Sequence, residues 1–200
     1  IGLGLLCLFA LPATAQNHTF DHIASENTWV WSATTPLGSL VGVPDHNFEV
    51  EGPTSANLSG TPFTNGEVLN GNLTMTTDLA GYIPGPFGIH LADITVTDLT
   101  FSVSTPAFTV DSAGDFNTDW TVTVISGTLT VTPLGSSASA TDLTGTSGPP
   151  TPNPGSVTVD STGQVVLHSD QSATFSFVDA GTGISADFTI TGTLHGTGGP

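Results

Sequence analysis

The sequence predicts an all-β fold, a single-domain antiparallel barrel or sandwich of roughly ten short strands. Three observations predict it. Apolar and polar residues alternate with a period of two in many short segments, no segment keeps the 3.6-residue period of an amphipathic helix, and 24 glycines and 14 prolines interrupt the chain. Alternations separated by turns are typical of both barrels and sandwiches, so the choice between these two architectures stays open.

The first fifteen residues predict a secretory signal peptide. The run IGLGLLCLFALPATA is apolar and ends on the small-x-small pattern Ala13-Thr14-Ala15, which is typical of a signal-peptidase site. The run is too short to cross a membrane, and the missing initial Met indicates that the start of the signal has been truncated. The secreted domain is then 16–200, which has no cysteine because Cys7 lies in the signal. We therefore expect this domain to be held together by its core.

The charge of the chain excludes some classes of function. The sequence has 17 acidic residues and no Lys or Arg, a formal net charge of −17 at pH 7. Nucleic-acid binding is excluded because it depends on basic side chains that neutralise phosphates, and anionic membrane surfaces are disfavoured for the same reason. We expect the carboxylates to stay solvated, to accept hydrogen bonds or to bind metal ions.

Alternation predicts most strands directly, and 88–104 is expected to be two strands or one bent strand. The other candidate strands are 27–34, 46–52, 54–59, 69–78, 107–111, 156–160, 163–169, 172–179 and 184–194. Two segments indicate loops. One is the Pro/Gly-rich GTSGPPTPNPG (145–155), interpreted as a long loop within one domain. The other is AGYIPGPFG (80–88), whose Tyr82, Ile83 and Phe87 are expected to pack back onto the body.

Two hairpins are predicted with their registers. In DWTVTVISGTLTVTP (119–133) the apolar set changes from even to odd positions. A turn at Ser126-Gly127 places Val124 opposite Leu129 and Val122 opposite Val131. A long strand with a bulge at Gly127 is the alternative. In the second hairpin, AGTG (180–183) is the loop, and the paired residues are Phe177 with Ala186, Phe175 with Phe188 and Ala173 with Ile190.

A calcium site is the one candidate metal site. DFNTDW (115–120) places oxygen side chains at Asp115, Asn117 and Asp119, with Asp111 just upstream. Alternating oxygen ligands are typical of the start of a calcium-binding loop, although the glycine and the final glutamate of that loop are replaced here by Trp120 and Ser126. A polar loop leading into a strand is the alternative interpretation.

Other functional patterns are better explained by the fold. Trp29 and Trp31 share one strand face and are interpreted as core, while Glu49 and Glu51 are interpreted as a solvated outer face. The histidines form no HExxH or Cys/His pattern, and no GxSxG, P-loop or Rossmann glycine pattern occurs. An enzyme is therefore not predicted, and no catalytic residue is assigned. The six histidines are His18, His22, His46, His90, His168 and His195.

The chain resembles two groups of proteins. The signal segment, the Thr/Ser/Gly-rich body of low charge and the segment HTFDHIASENTWVWSATTPLGSLVG (18–42) are similar to bacterial exported proteins of the PEP-CTERM type. The Pro-Glu-Pro sorting motif of that group does not occur in these 200 residues. The opening TFDHIASENTWVW (19–31) also resembles the YceI-like lipid-binding barrels. The first likeness implies an exported protein, and the second implies a barrel with an apolar lumen.

These observations predict a secreted, non-enzymatic structural or adhesive β protein of the bacterial envelope or extracellular matrix. A cell-surface or matrix polysaccharide is the candidate partner, and calcium is the only candidate cofactor. The alternative is a binding module that holds a small apolar ligand inside a barrel or a glycan on an aromatic face. An internal cavity of about 300 Å³ or more would indicate the ligand-binding barrel, and a filled interior would indicate the structural protein.

Overall fold

The computed structural model describes residues 14–199, so the predicted signal peptide lies outside the described residues except for its last two. Fifteen β-strands, numbered in chain order, are joined by loops and by two three-residue 3-10 turns, Ala24–Glu26 and Pro86–Gly88. No helix within 14–199 is long and apolar enough to cross a membrane. The strands are β1 Gln16–His22, β2 Thr28–Thr35, β3 Gly38–Ser39, β4 Val41–Gly42, β5 Asn47–Gly60, β6 Phe63–Gly71, β7 Leu73–Met75, β8 Leu79–Pro84, β9 His90–Ser104, β10 Phe108–Thr109, β11 Asp115–Pro133, β12 Ser139–Asp142, β13 Thr151–Val159, β14 Val165–Val178 and β15 Ser185–Gly199.

The strand pairings are antiparallel and close into a ring. The ring runs β5, β1, β15, β14, β13, β11, β9 and β7, and β7 pairs with β5 again. Strands β6 and β10 extend the sheet beyond β5, while β8 and β4 extend it beyond β9. Strand β2 bridges β15 and β5, and β12 pairs with β11. The predicted all-β single domain is confirmed, with the sheet closed on itself.

The predicted hairpin over 172–194 is confirmed in its register. Strands β14 and β15 pair Phe177 with Ala186, Phe175 with Phe188 and Ala173 with Ile190. Both strands are longer than predicted. The predicted strands 163–169 and 172–179 form the single strand β14, and β15 continues to Gly199. In the same way 46–52 and 54–59 form the single strand β5. These strands therefore continue through positions where the glycine, proline and polar residues of the sequence had indicated a turn.

The predicted hairpin over 119–133 is wrong, and its alternative, a long strand with a bulge, is what the structure contains. Strand β11 runs from Asp115 to Pro133 and pairs with β9 from Thr121 to Pro133, across the predicted turn. The register shifts around Ser126, so Val122 and Val131 are both buried although they belong to different parities. Strand β9 changes parity at the same level, at Asp98, so the segment 88–104, predicted as two strands or one bent strand, contains one strand with an irregularity.

Both predicted loops are partly strand. Strand β13 begins at Thr151, inside the predicted loop 145–155, and its first residues pair with β11. Strand β14 pairs with β13 only from Gly155 onward, so Pro152 and Pro154 lie where one side of the strand is free, as prolines require. In the predicted loop 80–88, Ile83 is buried in β8, but Phe87 is 101% exposed and does not pack back.

The interior of the ring is filled by apolar side chains from nearly every long strand. Trp29, Trp120 and Phe20 are among the largest fully buried residues. Two small internal cavities of about 20 Å³ each are lined almost entirely by apolar residues, which is near the size of a single water. Both cavities are far smaller than the lumen that the alternative of an apolar-ligand barrel requires.

Candidate functional site

The four predicted calcium ligands do not surround one point. Asp111 lies in the turn before β11, where its Oδ1 accepts hydrogen bonds from the N–H groups of Ala113 (2.8 Å) and Asp115 (3.0 Å). Asp115, Asn117 and Asp119 alternate along the exposed face of β11. At about 3.3 Å per residue, Asp115 and Asp119 are roughly 13 Å apart. Within 14–199 no group of three or more His, Cys, Asp or Glu side chains is placed to hold a metal ion.

The tryptophan pair is buried and the glutamate pair is exposed, as the sequence predicts. Trp29 and Trp31 are 0% and 3% exposed on β2, so their interpretation as core is confirmed. Glu49 and Glu51 are exposed on the outer face of β5. The two tryptophans therefore present no exposed face to a glycan.

An open groove of about 410 Å³, which we call the His18 groove, lies where β1 begins and β5 ends. Its volume is within the range of small-molecule sites. Four distant parts of the chain form it, namely 16 and 18, 60–63, 111–114, and 157–159 with 165. One predicted site residue, Asp111, belongs to it. Tertiary structure alone assembles this groove, because the strands that contribute to it are far apart in sequence.

The imidazole of His18 forms part of the groove lining and has no hydrogen-bond partner. The residue is 2% exposed, and neither Nδ1 nor Nε2 has a partner. Phe63, which is half-buried, packs edge-on against the ring with centroids 5.7 Å apart, and Phe20 is stacked with the ring at 6.3 Å. Desolvation lowers the pKa of His18, so the ring is neutral at pH 7. A neutral imidazole has one donor and one acceptor, and here neither is used.

Backbone hydrogen bonds hold one wall of the groove. The 111–114 turn is held by the two hydrogen bonds to Asp111 and by hydrogen bonds from the N–H of Gly114 to the Asp111 carbonyl (3.1 Å) and from the N–H of Val157 to the Gly114 carbonyl (2.8 Å). Two further open grooves, of about 450 and 440 Å³, contain no buried unpartnered polar side chain in their linings. The His18 groove is distinguished from them by its unsatisfied imidazole.

His22, two positions further along the inner face of β1 from Phe20, is in contrast fully hydrogen-bonded. Its Nδ1 lies 2.8 Å from the carbonyl oxygen of His195, and its Nε2 lies 2.9 Å from the hydroxyl of Thr54. Desolvation lowers the pKa of His22 to about 4. Asn27 also binds the backbone of His195. Its side-chain amide donates to the His195 carbonyl (3.0 Å), and its side-chain oxygen accepts from the His195 N–H (2.6 Å). This cluster ties β1, β5 and β15 together.

Asp179 is a buried carboxylate with no cationic partner. It is 1% exposed and precedes the loop between β14 and β15. Its oxygens accept hydrogen bonds from the hydroxyls of Ser139 (2.6 Å), Thr141 (2.8 Å) and Thr182 (2.6 Å) and from the Thr182 N–H (2.8 Å). Burial alone would raise the pKa of Asp179, but these hydrogen bonds outweigh burial and lower it to about 2. The carboxylate connects the loop to β12.

The aromatic surface lies elsewhere. Tyr82 and His90 are stacked with centroids 3.6 Å apart, and His90 Nδ1 lies 2.7 Å from Asp93 Oδ1. Phe87 is exposed at the nearby turn between β8 and β9, with φ of 58°. These residues lie at the end of the β8–β9 hairpin, and none of them belongs to the His18 groove.

Sequence reasoning missed His18 as a site residue. It grouped His18 with His22 by their spacing and found no helix to support them. The usable signal was the alternation His18-Phe20-His22, which in a strand points all three residues inward. The sequence analysis predicts no strand over 16–22, and without a strand there this alternation does not identify His18 as an inward-facing residue.

A comparison of the chain with protein-family models, with curated proteins and with solved structures found no match.

Proposed function

We propose that this chain is a secreted, non-enzymatic structural or adhesive β protein of the bacterial envelope or extracellular matrix. The observation that carries the proposal is the interior of the closed ring, which is filled by one apolar core cluster and in which two cavities of about 20 Å³ each are found. A ring packed with side chains favours a rigid scaffold over a container for an apolar ligand.

The buried titratable groups also support a scaffold. Strongly shifted pKa values often mark catalytic groups, but the two largest shifts belong to side chains with structural partners. Asp179 is fully engaged by hydroxyl and backbone donors, and His22 links a backbone carbonyl to Thr54. These groups hold strands and loops together, which is a structural role.

The way in which surface carboxylates are stabilised is compatible with a protein that works outside the cell. Turn carboxylates accept local hydrogen bonds instead of pairing with cations. Asp160 Oδ1, for example, accepts from the Thr162 N–H (2.8 Å) and hydroxyl (2.7 Å), and the Thr162 hydrogen bonds lower the pKa of Asp160. Hydroxyl pairs such as Thr174 with Thr189 (2.9 Å) connect strands on the outside. Because the chain has no Lys or Arg, trypsin has no cleavage site in it, an advantage outside the cell.

Fractionation of bacteria tests the proposal, with the chain expressed behind an added initiator Met and basic residues that complete its predicted signal and with a C-terminal epitope tag. We expect the tagged protein at the cell surface or in the matrix, without residues 1–15 by mass spectrometry, and retained there after washing. Tagged protein that stays in the cytosol with its leader, or that is released freely into the medium, would contradict the proposal.

Binding of a ligand is a second candidate function, favoured by one observation. The His18 groove combines a volume of about 410 Å³ with a buried imidazole that has no partner. Unlike the filled interior, this groove is open to solvent.

A further inference from the structure

We propose that the His18 groove binds a neutral sugar residue, with His18 as the buried hydrogen-bonding group and the apolar groove wall as the surface for the sugar ring. The inference rests on the adhesive role proposed above, for which it names the class of partner. It is carried by the placement of an unpartnered, 2% exposed imidazole in the lining of an open groove.

The buried imidazole needs a partner that the protein does not supply. A buried polar group without a hydrogen bond costs about 1–3 kcal/mol, so His18 is a local weakness that a ligand hydroxyl would remove. A hydroxyl both donates and accepts, and it therefore fits either nitrogen of a neutral imidazole. Phe63 packs edge-on against this ring and lines the same groove, so a ligand that reaches the buried nitrogens has to displace this half-buried side chain.

The groove wall suits the face of a sugar ring. Pro62, Phe63, Val157 and Val165 contribute apolar surface, and Val159, which is 58% exposed, extends it towards solvent. A pyranose presents C–H groups on its faces and hydroxyl groups at its edge. Aromatic and aliphatic side chains cover such faces, while the edge reaches polar groups at the rim. Gln16, Thr61 and Thr158 are polar residues in this lining.

The charges indicate that the sugar is neutral. No Lys or Arg exists in the chain, so an anionic sugar would find no cation and would be repelled by the net charge of −17. Asp111 is the one carboxylate in the groove lining, and its Oδ1 already accepts two backbone N–H groups. A hydroxyl-rich ligand without charge is the class that fits these groups best.

An NMR titration of the mature domain with cellobiose, maltose and N,N′-diacetylchitobiose tests the proposal, with glucuronic acid as the anionic control. We expect millimolar concentrations of at least one neutral probe to shift backbone amide signals of 16–18, 60–63, 111–114 and 157–159. The ring nitrogens of His18 should shift with them, and glucuronic acid should cause no such change. Signals that stay unchanged with all three neutral probes, or that shift only around Tyr82 and His90, would overturn the proposal.

Two variants and a matched control make the test specific. His18→Phe removes both nitrogens but keeps an aromatic ring, so the fold should be at least as stable while binding weakens about tenfold or more. Val159→Asp adds a charge to the wall and should also weaken binding. Val178→Asp changes a valine of almost equal exposure (59% against 58%) outside the groove and should leave binding unchanged. Equal affinity in His18→Phe and the parent protein would overturn the role of the imidazole.

The failure of this proposal differs from the failure of the adhesive role. If His18→Phe is retained at the cell surface as well as the parent protein and no probe binds, the sugar site is wrong and the surface role stands. If the neutral probes bind at the groove but the full chain is released into the medium, the site stands and the adhesive role is wrong.

Discussion

Asp179 shows at the scale of a single residue how this chain buries a charge without Lys or Arg. Four donors from Ser139, Thr141 and Thr182 surround the carboxylate. Such hydrogen bonds to an ionised group are stronger than those between neutral groups. The ionised form is favoured in the folded state, so its contribution to stability is present above pH 3.8 and is lost as the pH falls through about 2.

The substitution Asp179→Asn should destabilise the protein by about 2–3 kcal/mol at neutral pH, because an amide nitrogen cannot accept the hydrogen bonds that one carboxylate oxygen accepts now. Urea unfolding measures the loss. Asp187→Asn is the matched control, since this exposed carboxylate accepts one hydroxyl, from Ser176 (2.6 Å), and its loss should be much smaller. Equal losses in the two variants would refute the role of Asp179.

His22 makes folding sensitive to mild acid. Its pKa is lowered from 6.5 to about 4, so between these values the unfolded chain takes up a proton that the folded protein excludes. The stability due to neutral His22 is complete above pH 6.5 and is lost as the pH falls to about 4, a loss on the order of 3 kcal/mol. His18, whose pKa burial also lowers, adds to the loss in the same direction.

We expect His22→Gln to flatten this pH dependence. The variant should be less stable than the parent at pH 7.5, because one of its two hydrogen bonds is lost, but it should lose less further stability on acidification to pH 4. Chemical unfolding across this range measures the slope. His168→Gln, a change at an exposed histidine, should keep the slope of the parent, and a His22→Gln slope equal to that of the parent would show that His22 is not the group that titrates.

At the scale of elements, the pair β9 and β11 contains two matched irregularities. Both strands switch their buried parity at the same level, β11 around Ser126 and β9 around Asp98. One irregularity compensates for the other, so the register before and after is kept. Asp98 has φ of 54°, a left-handed conformation that costs energy in most residues and is free for glycine.

Substitutions at Asp98 test whether this bulge is built on that conformation. Asp98→Gly should leave stability unchanged or slightly raised, whereas Asp98→Val should lower it by about 1–2 kcal/mol, because β-branched residues disfavour positive φ. The Asp98 side chain is exposed, so lost packing does not complicate the comparison. Thermal melts measure the difference between the two variants. An equal change of melting temperature in both would contradict the left-handed conformation of Asp98.

The contact between β2 and β15 depends on a glycine. Gly192 pairs with Trp29, and a Cβ at this position would overlap the fully buried indole. Gly192→Ala should therefore destabilise the protein by about 1–3 kcal/mol through overpacking. Gly199→Ala is the control, because a Cβ there meets nothing within 4 Å. Thermal melts measure the stability of both variants, and an unchanged melting temperature of Gly192→Ala would mean that the indole of Trp29 has room to move.

At the scale of the whole molecule, the excess of anions acts against the compact state. The net charge is −17. The ion pairs found within 14–199 both involve histidine, His90 with Asp93 and His195 with Glu26. Repulsion among exposed carboxylates therefore has little local compensation, and screening by salt reduces this repulsion.

Raising the NaCl concentration from about 0.01 M to about 0.3 M should raise the melting temperature by a few degrees, since the Debye length falls several-fold over this range. NaBr at equal ionic strength should act in the same direction, which separates screening from ion-specific effects. A melting temperature that falls or stays constant in both salts would mean that carboxylate repulsion does not limit stability.

Much of this fold could be predicted from particular residues. The facing sets Ala173-Phe175-Phe177 and Ala186-Phe188-Ile190 have one arrangement in which both are buried, and the structure has it. The parity change at Gly127 has two solutions, a hairpin or a bulge, and the residues of that segment fit both. The choice depends on β9, which shifts parity opposite the bulge. Phe87 was expected to pack back, but the turn that contains it points the ring into solvent.

The candidate site was harder to predict than the fold. Asp111 was singled out for calcium, but its partners on β11 are spread along an extended strand. His18 becomes important only when β1 is known to be a strand and Phe63 is known to cover its ring. The groove itself needs the β5–β6 turn, the 111–114 turn and β13 to meet.

The sequence by itself determined the all-β class, the buried tryptophans, the register of the last hairpin and the absence of Lys and Arg partners for the carboxylates. These properties follow from composition and from period-two alternation, which are local along the chain. Tertiary structure alone decided that the sheet closes into a ring, that β11 is one bulged strand and that His18 is buried at a groove. Each of these depends on contacts between residues far apart in sequence, and local alternation carries no information about which distant strands meet.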